Sequence, residues 1–175
     1  MQECGATQNF FIRELQYHDY EDLFAMWSDK RITDLTATDD GMTLEGAKHR
    51  VRNQVDNPFF KNYVACNDTR VVGFSYLMLH SAHKRRHIAS FTVLVHADYQ
   101  GKGIGKALTL HTIREAESDT SIEIIELDVF KDNQSAVNLY LSTGFEIEGI
   151  LRNRTKRNGV AQDLYIMSRP CTTGS

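Results

Sequence analysis

The sequence predicts a mixed α/β fold in which helices flank one mixed β-sheet. Short β-rich runs alternate with stretches of helical spacing in the order β-α-α-β-β-β-α-β-α-β-β. Turn sequences between adjacent β-rich runs indicate antiparallel hairpins. This order lacks the regular alternation that a doubly wound parallel sheet requires. The 175-residue chain has no internal repeat or low-complexity linker, so we expect a single domain over 9–169, with flexible termini at 1–8 and 170–175.

The first half of the chain predicts two helices and a hairpin. Its elements are a strand at 9–15, helices at 18–29 and 43–55, and strands at 62–67 and 71–80. The first helix is predicted because its apolar residues have helical spacing, and Thr43 is a suitable N-cap for the second helix. The turn Asp68-Thr69-Arg70 lies between the last two strands and predicts the hairpin.

The second half alternates strands and helices before a final hairpin. Its elements are a strand at 87–95, a helix at 104–118, a strand at 122–130, a helix at 133–145, and strands at 145–153 and 160–169. Gly144 is expected to end the second of these helices, since glycine adopts the left-handed conformation that closes many helices. Asn158-Gly159 is a strong signal for a tight hairpin turn between the last two strands.

Composition argues against nucleic-acid and membrane partners. The net charge is −3, so no overall basicity points to nucleic acid or an anionic membrane. No apolar run approaches a membrane span, and the first ten residues lack signal-peptide features. Cys4, Cys66 and Cys171 are far apart and odd in number, which predicts a reducing, cytoplasmic setting without disulfides.

One histidine-rich segment raises the question of a metal site. His80, His83 and His87 fall within eight residues, and histidine clusters bind metals. The segment is predicted as strand-turn-strand, however, and no cysteine or carboxylate joins the three residues. A solvated basic hairpin is therefore the favoured interpretation, and we predict no metal.

Three glycines at alternate positions are the most unusual feature of the chain. Gly101, Gly103 and Gly105 lie between the strand at 87–95 and a helix that begins near Ile104. Glycine permits close approach of the backbone to a ligand, and the first turn of a helix presents unpaired N–H groups to anions. Lys102 and Lys106 add positive charge. The pattern therefore predicts a phosphate-bearing cofactor, with a simple connecting turn as the alternative.

The loop is neither of the two commonest phosphate-binding motifs. A P-loop would require glycine at Gln100 and serine or threonine at Ala107. The dinucleotide fingerprint would require glycine at Lys106, and it would follow its strand directly. Neither requirement is met.

A third phosphate-loop pattern does match, and a second signature accompanies it. Residues 100–105, QGKGIG, match the Q/R-x-x-G-x-G/A acetyl-CoA loop of the GNAT N-acetyltransferase superfamily, and residues 132–149 resemble its second signature, N-x-x-A-x-x-L-Y-x-x-x-G-F. The chain end further resembles bacterial amino-acid N-acetyltransferases. The resemblance implies a mostly antiparallel sheet of six or seven strands, a central parallel pair that splays apart, and about four flanking helices.

The resemblance also implies roles for individual residues. The pantetheine arm of coenzyme A would run along the splayed strand, and the pyrophosphate would lie on the glycine loop. The implied cofactor-binding residues are Val93, Leu94, Val95, Gln100, Gly101, Lys102, Gly103, Ile104, Gly105, Lys106, Asn133 and Tyr140. A backbone N–H near Val93 or Leu94 would stabilise the oxyanion. Tyr140 would be catalytic, as donor to the leaving thiolate, with a core aromatic as the alternative. Asn133 is alternatively an ordinary helix N-cap.

The general base and the acceptor are less determined. The strand at 87–95 carries no carboxylate, and Asp128 is either a base acting through water or a strand-end acid, so no base is assigned. The missing base favours an α-amine, whose pKa of about 7.7–8.0 lies far below the value of about 10.4 for lysine. We therefore expect acetyl-CoA as co-substrate and a small-molecule amine acceptor, on an enzyme that is a monomer or a homodimer. The alternatives are a protein N-terminal acetyltransferase and a non-catalytic acyl-CoA sensor, and the segment 30–42 is the expected acceptor loop.

Overall fold

The computed structural model describes residues 10–36 and 41–171, and within them the predicted order of elements is confirmed except for one additional short helix, α2. The elements are β1 (Phe11–Glu14), α1 (Tyr20–Ser28), α2 (Lys30–Thr33), α3 (Leu44–Asp56), β2 (Phe60–Cys66), β3 (Val71–Leu79), β4 (Ile88–Val95), α4 (Ile104–Glu117), β5 (Ile124–Phe130), α5 (Gln134–Ser142), β6 (Glu146–Arg157) and β7 (Val160–Pro170). Of the flexible termini expected at 1–8 and 170–175, residues 1–8 and 172–175 lie outside the described residues. Pro170, expected in the C-terminal tail, is instead the last residue of β7.

The described strands form a seven-stranded sheet that confirms the predicted mixed architecture. Its order is β1-β2-β3-β4-β5-β7-β6, and every neighbouring pair is antiparallel except β4 and β5. The parallel ladder joins only Ile88–Ser90 to Ile124–Glu126. Beyond Ser90 and Glu126 the two strands separate, although each keeps its antiparallel neighbour on the other side. The predicted splay is thus present at the centre of the sheet.

Local signals that were visible in the sequence act as expected. The Thr43 hydroxyl accepts a hydrogen bond from the Gly46 N–H at 3.0 Å and caps α3. Gly144 has φ of +90° and follows α5, where the Phe145 N–H bonds back to the Tyr140 carbonyl at 3.0 Å. The turn between β6 and β7 has positive φ at both Asn158 and Gly159, as a tight primed hairpin requires.

Helices cover both faces of the sheet and create two core layers. On one face, α1 and α3 bury Trp27, Val51 and Phe74 in a cluster that also contains Leu94 of β4. On the other face, α4 and α5 pack onto a cluster that contains Phe91 of β4. Each large apolar side chain buried in this way contributes roughly 1.5–3 kcal/mol. Because β4 and β5 separate between these layers, a gap connects the two faces of the sheet.

Two features differ from the sequence-based expectation. The expected acceptor loop contains the one-turn helix α2, which Asp29 caps by accepting from the Arg31 N–H at 2.9 Å. A helix of four residues is too short to produce a detectable period, and residues 37–40 of the same segment lie outside the described ranges. The second difference is the length of β6, which extends through the basic stretch to Arg157.

No helix within the described ranges is long and apolar enough to cross a bilayer.

Candidate active site

Two adjoining cavities lie along β4 where it separates from β5. The larger, here called the strand cavity, has a volume of about 680 Å³ and is lined by both splayed strands. The smaller, the loop cavity, has a volume of about 330 Å³ and extends to the glycine loop. Both are lined by Val93, Leu94, Asn133 and Tyr140, so the cavities meet at the splay. A ligand entering from each side would therefore reach the same point.

Two of the three glycines provide an open backbone cradle. Gly101 and Gly103 have φ of +73° and +82°, a region that side-chain-bearing residues rarely adopt. A Cβ at either position would meet no atom within 4 Å, so the space above them is free for a ligand. Gly103 is the N-cap of α4, and Ile104 begins the helix as predicted. Unpaired N–H groups and the helix dipole make this place suitable for an anion, and Lys106 lines the same cavity.

Gly105 has a different role from its two neighbours. It is the only one of the three without a positive φ. A Cβ there would approach Cγ2 of Val95 at 3.4 Å and Cδ2 of Leu139 at 3.6 Å. Gly105 thus lies where the first turn of α4 packs against β4 and α5, at distances that would accommodate a methyl group.

Two other predicted cofactor-binding residues do not direct their side chains into the loop cavity. The Lys102 ammonium donates to the Asp98 carbonyl at 2.9 Å and lies 4.8 Å from the ring centroid of Tyr99. Ile104 is only 2% exposed and packs in the core. Neither lines the cavity, so any contact they make with a ligand would come from the backbone.

The end of β4 leads directly into the loop. Val93 and Leu94 line both cavities, whereas Val95 and Gln100 line the loop cavity. The Gln100 side chain donates to the Val95 carbonyl at 3.2 Å, which ties the loop back to the strand. Beyond Ser90, the edge of β4 that faces β5 has no strand partner, so an extended ligand could run along it as an added strand beside the anion cradle.

Tyr140 combines a structural ring with a hydroxyl that faces the cleft. The ring packs edge-on against Phe91 and Phe145, with centroid separations of 6.2 and 5.7 Å. The side chain lines both cavities, and its hydroxyl makes no hydrogen bond with the described residues. Burial raises the pKa of this phenol above its ordinary value. The hydroxyl is therefore protonated at neutral pH and available as a donor.

Asn133 is the N-cap of α5, the simpler of its two predicted roles. Its side-chain oxygen accepts from the Ala136 N–H at 3.2 Å. Its amide also donates to the Leu35 carbonyl at 3.2 Å, so it tethers the segment after α2 to the cleft. Asn133 lines both cavities, which leaves room for a ligand contact as well.

A polar cluster that the sequence did not predict lies at the base of the strand cavity. The Glu126 carboxylate accepts from Arg85 at 2.8 Å and from Ser90 at 3.2 Å, and His80 Nε2 lies 3.1 Å from the same oxygen. Ser90 and Glu126 are register partners, so the carboxylate that β4 lacks is supplied by β5. The available signal was two acidic residues at alternate positions of an otherwise apolar strand.

Asp128 lies two residues further along β5, on the same face. Its carboxylate lines the strand cavity and has no hydrogen bond or ion pair with the described residues. Burial raises the pKa of this carboxyl, Glu126 raises it further, and Arg154 opposes them. An unpaired carboxylate of raised pKa, open to a cavity, has the chemistry of a proton acceptor.

The histidine-rich segment does not assemble a metal site in the described part of the chain. No group of three His, Cys, Asp or Glu side chains there could hold a metal ion. His80 contacts Glu126, and His83 and His87 lie on or next to a short exposed turn.

Known proteins resemble the chain in sequence and in fold. The sequence profile of the Acetyltransferase (GNAT) family matches residues 12–145. The L-amino acid N-acetyltransferase AaaT of Escherichia coli (strain K12) is 36% identical over 114 residues, covering 65% of this chain and 70% of that protein. The [Ribosomal protein bS18]-alanine N-acetyltransferase of the same strain is 36% identical over 80 residues, covering 46% of this chain and 53% of that protein.

A solved structure shows the same architecture at low sequence identity. Spermidine N-acetyltransferase from Vibrio cholerae, in complex with CoA and spermine, superposes with a TM-score of 0.83 over 93% of this chain and 95% of that one. The two are 20% identical, so the likeness concerns the fold alone.

Proposed function

Since the chain belongs to the acetyltransferase (GNAT) family and is an N-acetyltransferase, we propose that it moves the acetyl group of acetyl-CoA to the α-amine of an amino acid or a similar small molecule. The observation that carries this proposal is the meeting of the loop and strand cavities at the splay of β4 and β5. Two substrates that enter from opposite sides can react there without a covalent enzyme intermediate.

The residues around the loop cavity fit acetyl-CoA. Gly101 and Gly103 leave open space over the first turn of α4, and Lys106 adds charge for the pyrophosphate. The free stretch of β4 from Val93 to Val95 offers backbone groups to the pantetheine amides. When bound, acetyl-CoA supplies a thioester whose carbonyl carbon is open to an amine.

Three groups of the chain would then carry out the separate steps of acetyl transfer. Asp128 accepts the proton of the incoming ammonium group, directly or through water. The backbone N–H of Val93, on the edge of β4 that faces away from β3, donates to the carbonyl oxygen as negative charge develops on it. Tyr140 donates its hydroxyl proton toward the sulfur as the carbon–sulfur bond breaks. Binding of both substrates at the splay removes much of the entropic barrier.

An α-amine suits this arrangement better than a lysine side chain. The α-amine of a peptide, with a pKa near 7.7–8.0, is partly neutral at pH 7, whereas lysine near 10.4 is almost wholly charged. That difference of about 2.5 pKa units corresponds to about 3–4 kcal/mol of deprotonation free energy, and it is smaller for a free amino acid, whose carboxylate raises the pKa of the neighbouring amine. A single carboxylate at the edge of an open cavity is adequate for the easier task. The name of one relative specifies L-amino acids, which supports a free amino acid as acceptor. The name of the other specifies an alanine of a ribosomal protein, which supports the protein N-terminal alternative.

The test is an acceptor screen with acetyl-CoA and mass-spectrometric detection. Free L-amino acids, spermidine, N-terminal peptides and N-blocked lysine peptides are compared at pH 7 and pH 9. We expect free amino acids to be acetylated fastest at pH 7. Faster acetylation of N-terminal peptides would establish a protein N-terminal acetyltransferase, and binding of acetyl-CoA without turnover of any amine would establish a sensor.

A further inference from the structure

The charges that line the strand cavity are unevenly paired. Four charged side chains line it: Arg50, Arg85, Glu126 and Asp128. Arg85 and Glu126 neutralise each other at 2.8 Å. Arg50 and Asp128 have no ion-pair partner among residues 10–36 and 41–171. In the described part of the chain the cavity therefore presents one cation and one anion without an ion-pair partner, and Arg154 acts on Asp128 only at longer range.

Among the described residues, Arg50 is held in place without using its hydrogen-bond donors. It extends from α3, and its guanidinium carbon lies 4.4 Å from the ring centroid of Trp27, which is only 1% exposed. Stacking on an aromatic face fixes the plane of a guanidinium but leaves its in-plane N–H groups free. Those groups form a rigid fork that matches a carboxylate. Trp27 thus supports a cation poised for an oxyanion ligand.

Arg50 also lies at the boundary with a third cavity. That cavity has a volume of about 740 Å³, shares Arg50 and Tyr76 with the strand cavity, and is lined by Phe60 and Met78. Gln54 lines it too, and its buried side-chain oxygen has no hydrogen-bond partner among the described residues. An acceptor held at Arg50 therefore has space for a side chain beyond it.

We propose that Arg50 binds the carboxylate of the acceptor, so that the enzyme selects a zwitterionic amino acid with its ammonium group toward Asp128 and its carboxylate on Arg50. The inference rests on the proposed function and names the residue that determines its specificity. An uncharged amide of the same amino acid keeps the amine but loses the carboxylate. A polyamine places a second cation near Arg50 and is disfavoured by repulsion.

The experiment compares each standard L-amino acid with its primary amide on the wild-type enzyme and on Arg50→Gln. It is run at pH 9, and each KM is calculated from the concentration of neutral amine, because the free carboxylate raises the pKa of the neighbouring ammonium group above that in the amide. For the best amino acid we expect Arg50→Gln to raise KM about 10–100-fold with little change in kcat, since one charge-assisted contact is lost. The KM for the matching amide should be the same in both enzymes. Arg50→Lys should recover part of the loss because it restores charge without the fork.

A matched control and a binding measurement keep the outcomes distinct. Arg52→Gln changes an exposed arginine of the same helix that lines neither cavity and should leave KM unchanged. Calorimetric titration of amino acids into the enzyme–CoA complex measures acceptor binding independently of turnover. Equal KM for acid and amide, an unchanged Arg50→Gln, or absence of amino-acid binding each overturns the proposal. Arg50-dependent binding without turnover would overturn the proposed function alone.

Discussion

The loop cavity and the strand cavity are built in opposite ways. The loop cavity is formed mainly by one continuous stretch, from Val93 to Lys106, together with the start of α5. It would bind its ligand through backbone N–H groups, which glycine residues leave accessible. The strand cavity takes charged side chains from α3, from the turn before β4 and from β5. The cofactor-binding loop cavity therefore depends mainly on local sequence, whereas the strand cavity, where the acceptor would bind, depends on long-range packing.

The largest expected effect would test the backbone character of the loop cavity. Gly103→Val introduces a β-branched side chain at φ of +82°, so the loop must change conformation and the cradle closes. We expect coenzyme A affinity to fall about 100-fold or more, because two or more charge-assisted contacts of about 1.5–3 kcal/mol each are lost. Isothermal titration calorimetry on the folded variant measures this effect.

Gly159→Val is the control for backbone strain. Gly159 has a similar φ of +79° and equally open surroundings, but it lies in the β6–β7 turn. It should lose comparable stability and retain full coenzyme A affinity. Equal affinity losses in the two variants would show that strain, not the cradle, controls binding.

The second effect concerns the residue at which the two cavities meet. Tyr140→Phe keeps the ring that packs on Phe91 and Phe145 and removes only the hydroxyl. We expect kcat to fall about 10–100-fold with coenzyme A affinity nearly unchanged, since the lost donor acts in the transition state. Tyr63→Phe is the control, because that hydroxyl contacts Glu115 away from both cavities. A loss in affinity without a loss in turnover would return Tyr140 to a purely structural role.

The third effect tests the acceptor side through its pH dependence. Asp128 is active as a base only when ionised, so wild-type kcat/KM should fall as the pH drops through its pKa, which burial raises above the ordinary carboxyl value. Asp128→Asn should lower kcat/KM about 10-fold at pH 7 and less at pH 9, where more of the amine is already neutral. Glu146→Gln, on exposed β6, is the control. An equal loss at both pH values would indicate that Asp128 acts in binding rather than in proton transfer.

The smallest effect sharpens the distinction within the glycine loop. Gly105→Ala adds a methyl group at ordinary contact distance from Val95 and Leu139 in the first turn of α4. We expect a stability gain of about 0.4–1 kcal/mol from the less flexible unfolded chain, with coenzyme A affinity unchanged. Thermal unfolding and calorimetry measure the two quantities. A marked loss of affinity would place Gly105 in the anion cradle with Gly101 and Gly103.

The sequence predicted the elements around the loop cavity well because their signals are local. The glycine loop, the start of α4, the cap at Asn133 and the turn at Asn158-Gly159 each depend on a few neighbouring residues. The direction in which a side chain points depends on residues that are further away, and Lys102 is an example. Its charge was visible, but its position over Tyr99 depends on how the preceding turn folds.

The strand cavity could not be predicted because its partners are distant in the chain. Arg85 and Glu126 are 41 residues apart, and their contact exists only because β4 and β5 pair in one register. A shift of one residue would turn Glu126 to the opposite face of the sheet. Arg50 is likewise ordinary in sequence, and only its position over Trp27 makes it a candidate for carboxylate binding.

The order of the elements, the open backbone of the anion loop and the family of the chain could be predicted from local sequence, because turns, caps and glycine conformations depend on adjacent residues. The charges that face one another across the splay could be identified only in the folded chain. Those contacts depend on strand register and helix docking, where small free-energy differences summed over many residues select one arrangement. The loop cavity can therefore be recognised largely from one segment of the sequence, whereas the strand cavity forms only when the sheet has assembled.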